Sequence, residues 1–179
     1  MKNYQLILSF LYVITIIFVS CDNISNKENQ SQLIDKKDLQ KTLIEANIEF
    51  LAQESNAIDN YVTNNNLNVI KTGTGLRYQI FSPGDGDFVK KGDLITIDYK
   101  LESLKGDLIY SSENDGFKSF VVGRGGVESG LEEAVLKMKK NSEAIFILPS
   151  HLAHGYVGDG DRITYRTVLV YKVKVIDIK

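Results

Sequence analysis

The run Ser150-His151-Leu152-Ala153-His154 holds both histidines of the chain, and Asp159 and Asp161 follow it closely. Two histidines three apart suit a metal, but zinc asks for a further protein ligand in fixed geometry. With two His and one Cys, the chain is a poor source of transition-metal ligands, so no metal and no cofactor is expected. Ser150 and His151 are neighbours in sequence, which does not by itself make a nucleophile and its base. Gly123-Arg124-Gly125-Gly126 lacks both the spacing and the βαβ context of a dinucleotide fingerprint. Glu132 and Glu133 read as a solvated helix face.

The composition narrows the classes further. The chain has 179 residues, 43% apolar and 25% charged, enough for one ordinary domain with extensions. A formal net charge of −2 gives no footprint for nucleic acid. A single Cys excludes an internal disulfide. All 14 Gly fall between Gly73 and Gly160, and Pro83 and Pro149 lie in the same stretch. A turn-rich part therefore follows a helix-prone part.

Lys2 is the only charge in the first twenty residues, and an apolar run from Leu6 to Val19 follows it. That layout is a signal peptide over 1–20, too short as a helix for a ~30 Å hydrocarbon core. Phe18-Val19-Ser20-Cys21 resembles a bacterial lipobox, with Phe18 in place of the usual Leu. The resemblance implies that Cys21 is lipidated and becomes the first residue of a membrane-anchored mature chain. Residues 21–34 are polar and aromatic-free, and read as a linker.

Over 35–66 the period turns helical. Leu39, Leu43, Ala46, Phe50, Ala57 and Tyr61 make one line, and Ile44, Ile48, Leu51, Ile58 and Val62 a second. Asp35 is the expected N-cap and Asn64-Asn65-Asn66 the expected stop. The stripe suits either its own domain or a second copy of the chain or a partner, and the sequence leaves these open.

From Leu67 the period becomes alternating. Leu76, Tyr78 and Ile80, then Ile95, Ile97, Tyr99 and Leu101, read as half-buried antiparallel strands. Turns at 82–86, 91–93 and 105–107 separate them. Further strands are expected at 108–111, 120–122, 144–148 and 168–178. One helix is expected over 128–139, with Leu131, Val135 and Met138 on one face. The fold class is α+β: a twisted antiparallel β-sheet wrapping one short helix, preceded by a long N-terminal helix.

Residues 67–179 resemble an FKBP-type peptidyl-prolyl cis-trans isomerase domain. The motifs that carry the likeness run colinearly. They are Ser-Pro-Gly-Asp-Gly at 82–86, the Lys-Gly-Asp turn leading to Tyr99, and Lys-Gly-Asp-Leu-Ile-Tyr-Ser-Ser at 105–112. Val-Gly at 122–123, Val-Glu-Ser-Gly-Leu-Glu-Glu-Ala at 127–134 and Leu-Pro-Ser-His-Leu-Ala-His-Gly at 148–155 complete the series. With the lipobox in front, the chain also resembles lipoprotein members associated with bacterial gliding motility. Taken together, these imply a cell-envelope protein, lipid-anchored to a bacterial membrane and facing the periplasm. Its partners would be proline-containing polypeptides, with self-association through the N-terminal helix. The alternative is a non-catalytic binding or scaffold module of a cell-envelope motility assembly.

Rotation about a prolyl bond has a barrier of ~18–20 kcal/mol, set by lost amide resonance, and needs neither metal nor covalent intermediate. The resemblance implies a pocket built from Tyr99, Ile109, Tyr110, Val127, Glu128, Leu131, His154, Ile163 and Tyr171. Val127 and the backbone amide of Glu128 match the segment that holds substrate carbonyls. Several positions depart from the family: Tyr110 replaces an aspartate, Leu131 the floor tryptophan, His154 a hydrogen-bonding tyrosine, and Thr164-Tyr165 a Pro-Pro pair. Lys118 stands near where a rim phenylalanine is common in the family, and is expected to pair with Glu128. Reduced turnover, best with an apolar residue before proline, is implied. A buried tyrosine hydroxyl needs a partner, so Tyr99 and Tyr171 are both expected to face an open pocket.

Overall fold

The computed structural model describes residues 25–179, with side chains from Lys36 onward. The signal peptide expected over 1–20 and the lipidation expected at Cys21 lie outside the described residues. The chain divides into two compact units, Met1–Glu49 and Phe50–Lys179.

Helix α1 spans Ser25–Asn64. It begins well before Asp35, so the linker expected over 21–34 is helical from Ser25 onward. The reason is local: no Gly or Pro interrupts the segment, and its Lys, Glu and Gln are good helix formers. In the first unit Leu39, Leu43, Ile44 and Ile48 are all exposed. No helix among the described residues is long and apolar enough to cross a membrane.

The second unit carries strands β1 (Ile70–Lys71), β2 (Arg77–Ser82), β3 (Asp85–Phe88), β4 (Leu94–Glu102) and β5 (Leu108–Ser111). The short helix α2 (Ser112–Asp115), β6 (Lys118–Val121) and helix α3 (Ser129–Val135) come next. Strands β7 (Lys139–Lys140) and β8 (Glu143–Leu148), a 3₁₀ turn (Ser150–Leu152) and β9 (Leu169–Ile178) close the chain. The main sheet is antiparallel in the order β1-β2-β8-β9-β4-β5, and β6 also pairs with β4. β4 serves two partners on one edge: Leu94–Ile97 meet β6, and Lys100–Glu102 meet β5. β3 and β7 form a separate small pair.

Each face of the sheet has its own cover. Tyr99, Leu101, Phe146, Leu148, Leu169 and Tyr171 point to the main core with Leu131, Ala134 and Val135 of α3. Ile145, Ile147 and Val170 point the other way, onto Ile58 of α1. Burial on both faces explains why 144–148 is apolar throughout. The C-terminal part of α1 thus packs on its own domain. Arg77, only 2% exposed, fixes that contact. It donates to Asp59 at 2.7 and 3.2 Å, to Ser55 Oγ at 2.8 Å and to the Gly75 carbonyl at 3.0 Å.

Helix α3 is shorter than the 128–139 expected. After Val135 the chain tightens into i→i−3 bonds, Lys137 to Ala134 and Met138 to Val135. Met138 is buried all the same. Glu132 and Glu133 are half-buried and engaged rather than simply solvated. Glu132 accepts from the Gly123 and Gly125 amides at 3.1 and 3.0 Å, and Glu133 from Thr74 at 2.7 Å. Both carboxylates therefore tie loops to the helix.

Gly130 explains how α3 lies so close to the sheet. A Cβ there would stand 2.7 Å from Leu148 Cγ and 2.9 Å from the Leu152 carbonyl. Gly130→Ala should therefore lower the unfolding free energy by ~1–3 kcal/mol, although Ala is the better helix former by about 1 kcal/mol. A denaturant midpoint equal to or above that of the parent would contradict this packing.

Candidate functional site

A cleft of about 700 Å³ opens at the start of α3. Alternation along β4 turns Tyr99 and Leu101 toward it, while Lys100 points away to solvent. β5 supplies Tyr110, β6 supplies Lys118, and the segment leading into α3 supplies Gly126, Val127, Glu128 and Ser129. The stretch after the 3₁₀ turn contributes Ala153, His154, Asp159 and Ile163. Tyr99, Leu101, Val127, Ala153 and Ile163 give it a mainly apolar wall. Polar groups stand at defined points among them.

Glu128 is the N-cap of α3, and its side chain is only 4% exposed. Tyr171 donates its hydroxyl to Glu128 Oε1 at 2.8 Å, and His154 Nε2 lies 3.1 Å from the same oxygen. A carboxylate at a helix N-terminus is favoured by the macrodipole, which offsets part of its burial. Burial raises the Tyr171 hydroxyl well above its ordinary pKa, and the Glu128 charge adds to the effect. Tyr99 is raised as well, by burial first and then by the Asp115 and Glu128 charges.

Lys118 is not paired with Glu128. Its ammonium stands 5.1 Å from the centre of the Tyr99 ring and 3.5 Å from the Tyr171 hydroxyl. Two ring faces and a hydroxyl hold the cation, and Glu128 is committed to Tyr171 and His154. The same geometry corrects the expectation for Tyr171. Its ring is wholly buried and its hydroxyl finds a carboxylate rather than the open pocket. Tyr99, by contrast, does line the cleft.

A second cluster shapes the opposite wall. Tyr110 donates to Asp159 at 2.6 Å and lies 3.2 Å from Asp161, which pushes its pKa up to about 12. Desolvation works to raise Asp159. The Tyr110 hydroxyl and the Asp161 and Ile163 amides outweigh it and hold the carboxyl at about 2. Arg162 stacks 4.6 Å from the Tyr110 ring centre and donates to the Ile109 carbonyl and to Asp115. Ile163 is thereby held against the cleft by the Asp159 carboxylate at 2.8 Å.

Of the nine site residues expected, Tyr99, Tyr110, Val127, Glu128, His154 and Ile163 come together on the cleft wall. Ile109, Leu131 and Tyr171 sit behind it, in or against the core. Leu131 is wholly buried on the face of α3 turned to the sheet. Leu101, Asp115 and Asp159 are lining residues that the sequence reading did not place in the pocket. Leu101 was signalled by sharing the inward face of β4 with Tyr99. His151, the other histidine of the pair, turns away to the Thr74 carbonyl at 2.9 Å.

Residues 86–176 match the FKBP-type peptidyl-prolyl cis-trans isomerase family. The FkpA protein of Neisseria meningitidis serogroup B is 35% identical over 108 residues, 60% of this chain and 39% of that protein. The FK506-binding protein 1A of Aspergillus fumigatus is 31% identical over 107 residues, 58% of this chain and 95% of that protein. The chain thus spans well under half of the first relative and nearly all of the second. The crystal structure of FkpA from Escherichia coli superposes with a TM-score of 0.63 at 25% identity, covering 100% of this chain and 83% of that one. The antiparallel sheet, the short α3 packed on it and the cleft at its start agree with these likenesses: the chain belongs to the FKBP-type peptidyl-prolyl cis-trans isomerase family.

Proposed function

We propose that this chain catalyses cis-trans isomerisation of prolyl bonds in exported polypeptides, with the cleft at the start of α3 as the catalytic site. The observation that carries the proposal is the apolar wall of Tyr99, Leu101, Val127, Ala153 and Ile163 beside the N-cap of α3. A planar amide is more polar than a twisted one, so a wall that excludes water disfavours the ground state relative to the transition state. The Glu128 backbone amide, at the N-cap, lies outside the helix's own hydrogen-bond ladder and is placed to hold a substrate carbonyl. Tyr99, Tyr110, Val127, His154 and Ile163 contact the substrate in this reading. Ile109, Leu131 and Tyr171 act from behind, as support.

The finer parts of the proposal rest on the sequence. Cys21 carries the lipid that anchors the chain to a bacterial membrane, and the domain works on the periplasmic side. The exposed Leu39, Leu43, Ile44 and Ile48 of α1 support self-association through that helix. A second reading is a binding or scaffold module of a cell-envelope motility assembly that has kept the fold without turnover. The buried Glu128 carboxylate among the cleft's apolar side chains favours it.

A proline-peptide isomerisation assay with the purified chain should show acceleration over buffer. A rate equal to buffer at micromolar protein removes the enzyme and leaves the binding module. Tyr171→Phe keeps the ring and removes one donor from a buried carboxylate, so it should cost ~1–3 kcal/mol of stability and lower activity too. An unchanged Tm would contradict the Tyr171–Glu128 bond. Mass spectrometry of the chain produced in a bacterial host should find Cys21 as a diacylated or triacylated N-terminus. An unmodified Cys21, or a start elsewhere, defeats the anchor.

A further inference from the structure

Ala153 and His154 reach the cleft wall at the end of the 3₁₀ turn Ser150–Leu152. The first amides of such a turn have no acceptor inside it and depend on a cap. Pro149 stands at the N-cap position and forms no side-chain cap. The missing acceptor comes from α1, 96 residues earlier in the chain: the Ser150 amide donates to Glu54 Oε1 at 3.2 Å. Both residues are buried, Glu54 at 8% exposure and Ser150 at 4%. The Pro149–Ser150 peptide group is planar, so fixing its N–H also fixes its carbonyl. That carbonyl accepts from Leu152 at 2.9 Å, and the Ser150 carbonyl accepts from Ala153 at 3.1 Å and Gly155 at 2.9 Å. The backbone that presents Ala153 and His154 is thus built outward from the Glu54 bond.

Glu54 stands on a fixed element. Ile58, one turn further along α1, is wholly buried with Ile145, Ile147 and Val170, and the neighbouring Ser55 Oγ accepts from Arg77 at 2.8 Å. The same helix meets the return of the loop. The Phe50 ring centre lies 3.7 Å from the Arg166 guanidinium carbon, and the Arg166 amide donates to the Gly155 carbonyl at 2.6 Å. Stability does not account for the carboxylate. Its Oε2 has no hydrogen-bond partner, and a buried carboxylate short of donors is a poor exchange for water. An apolar side chain of similar size would fill the place without that desolvation.

We propose that Glu54 is a positioning residue of the cleft: through the Ser150 amide it holds Ala153 and His154 where a prolyl peptide meets them. This rests on the reading of the cleft as a prolyl-peptide site. Glu54 is not among the residues that line the cleft, and it lies ahead of the residues 86–176 that match the family. It acts at a distance, by keeping one turn in register. A wall displaced by about an ångström is enough to slow a reaction that depends on the fit of its substrate.

The test compares the purified full chain with Glu54→Met and Glu54→Gln, by amide hydrogen exchange and by isomerisation of the peptide Ala-Leu-Pro-Phe. Methionine fills the space and removes the acceptor; glutamine keeps an oxygen for the Ser150 amide. In Glu54→Met the Leu152, Ala153 and Gly155 amides should exchange about tenfold faster while β8 and β9 exchange as in the parent. Its kcat/KM should fall about tenfold. Glu54→Gln should restore both. Unchanged exchange at the three amides overturns the inference. So does faster exchange across the whole domain, failure of Glu54→Met to fold, or local loosening that leaves kcat/KM unmoved. A parent that binds the peptide without turning it over removes the isomerase and spares this inference, provided that its affinity falls in Glu54→Met together with the local protection. A parent that neither binds nor turns over the peptide removes both.

Discussion

The bond from Tyr171 to Glu128 is the contact on which the cleft depends. It joins the N-cap of α3 to β9, which lies between β8 and β4 in the middle of the sheet. His154 reaches the same oxygen from the loop after the 3₁₀ turn. Three segments distant in sequence thus converge on one acceptor. Of the three, β9 is held on both sides by β4 and β8, and it anchors the short helix and the long loop. Taking a carboxylate out of water costs several kcal/mol even after relaxation, and only good partners offset it. A hydroxyl, an imidazole and the helix dipole supply most of that offset.

Close approach of backbone sets the second constraint. Gly130 lets α3 press on Leu148, and Gly158, at φ +74°, passes so near the Ile163 carbonyl that a Cβ would sit 2.1 Å from it. The Gly158 turn is what allows Asp159 to hold the Ile163 amide and bring that side chain to the cleft. A side chain at either glycine would move a wall rather than merely strain a turn.

The strands were legible because their faces differ chemically. Ile95, Ile97, Tyr99 and Leu101 alternate with Thr96, Asp98 and Lys100, and the structure buries the first set almost completely. The cleft residues were legible through colinear motifs, which carry order and spacing. Side-chain pairing was not. Lys118 and Glu128 suggested an ion pair by charge alone, yet the tyrosine faces and hydroxyl claimed one and Tyr171 and His154 the other. Nor does any periodicity reveal that Glu132 and Glu133 cap loops, since a carboxylate on a helix reads as solvated until its neighbours are known. Polar composition over 21–34 suggests a linker and hides the start of α1, whereas uninterrupted good helix formers suffice for a helix from Ser25.

If the cleft turns prolyl bonds as proposed, its buried carboxylate must be compatible with twisting the amide. Twisting the prolyl bond localises the lone pair on nitrogen, so the transition state gains from a donor near that atom and from a dry surrounding. Glu128 as a carboxylate has no proton to give there, and its charge does not favour a richer lone pair. Its effect on the chemical step is therefore carried by its backbone amide and by the walls it positions, not by its side-chain oxygens. In the proposed function, catalysis belongs to the apolar face of this cleft. Glu128 can serve both as N-cap and as buried acceptor because its side chain turns in beneath Tyr171 and His154.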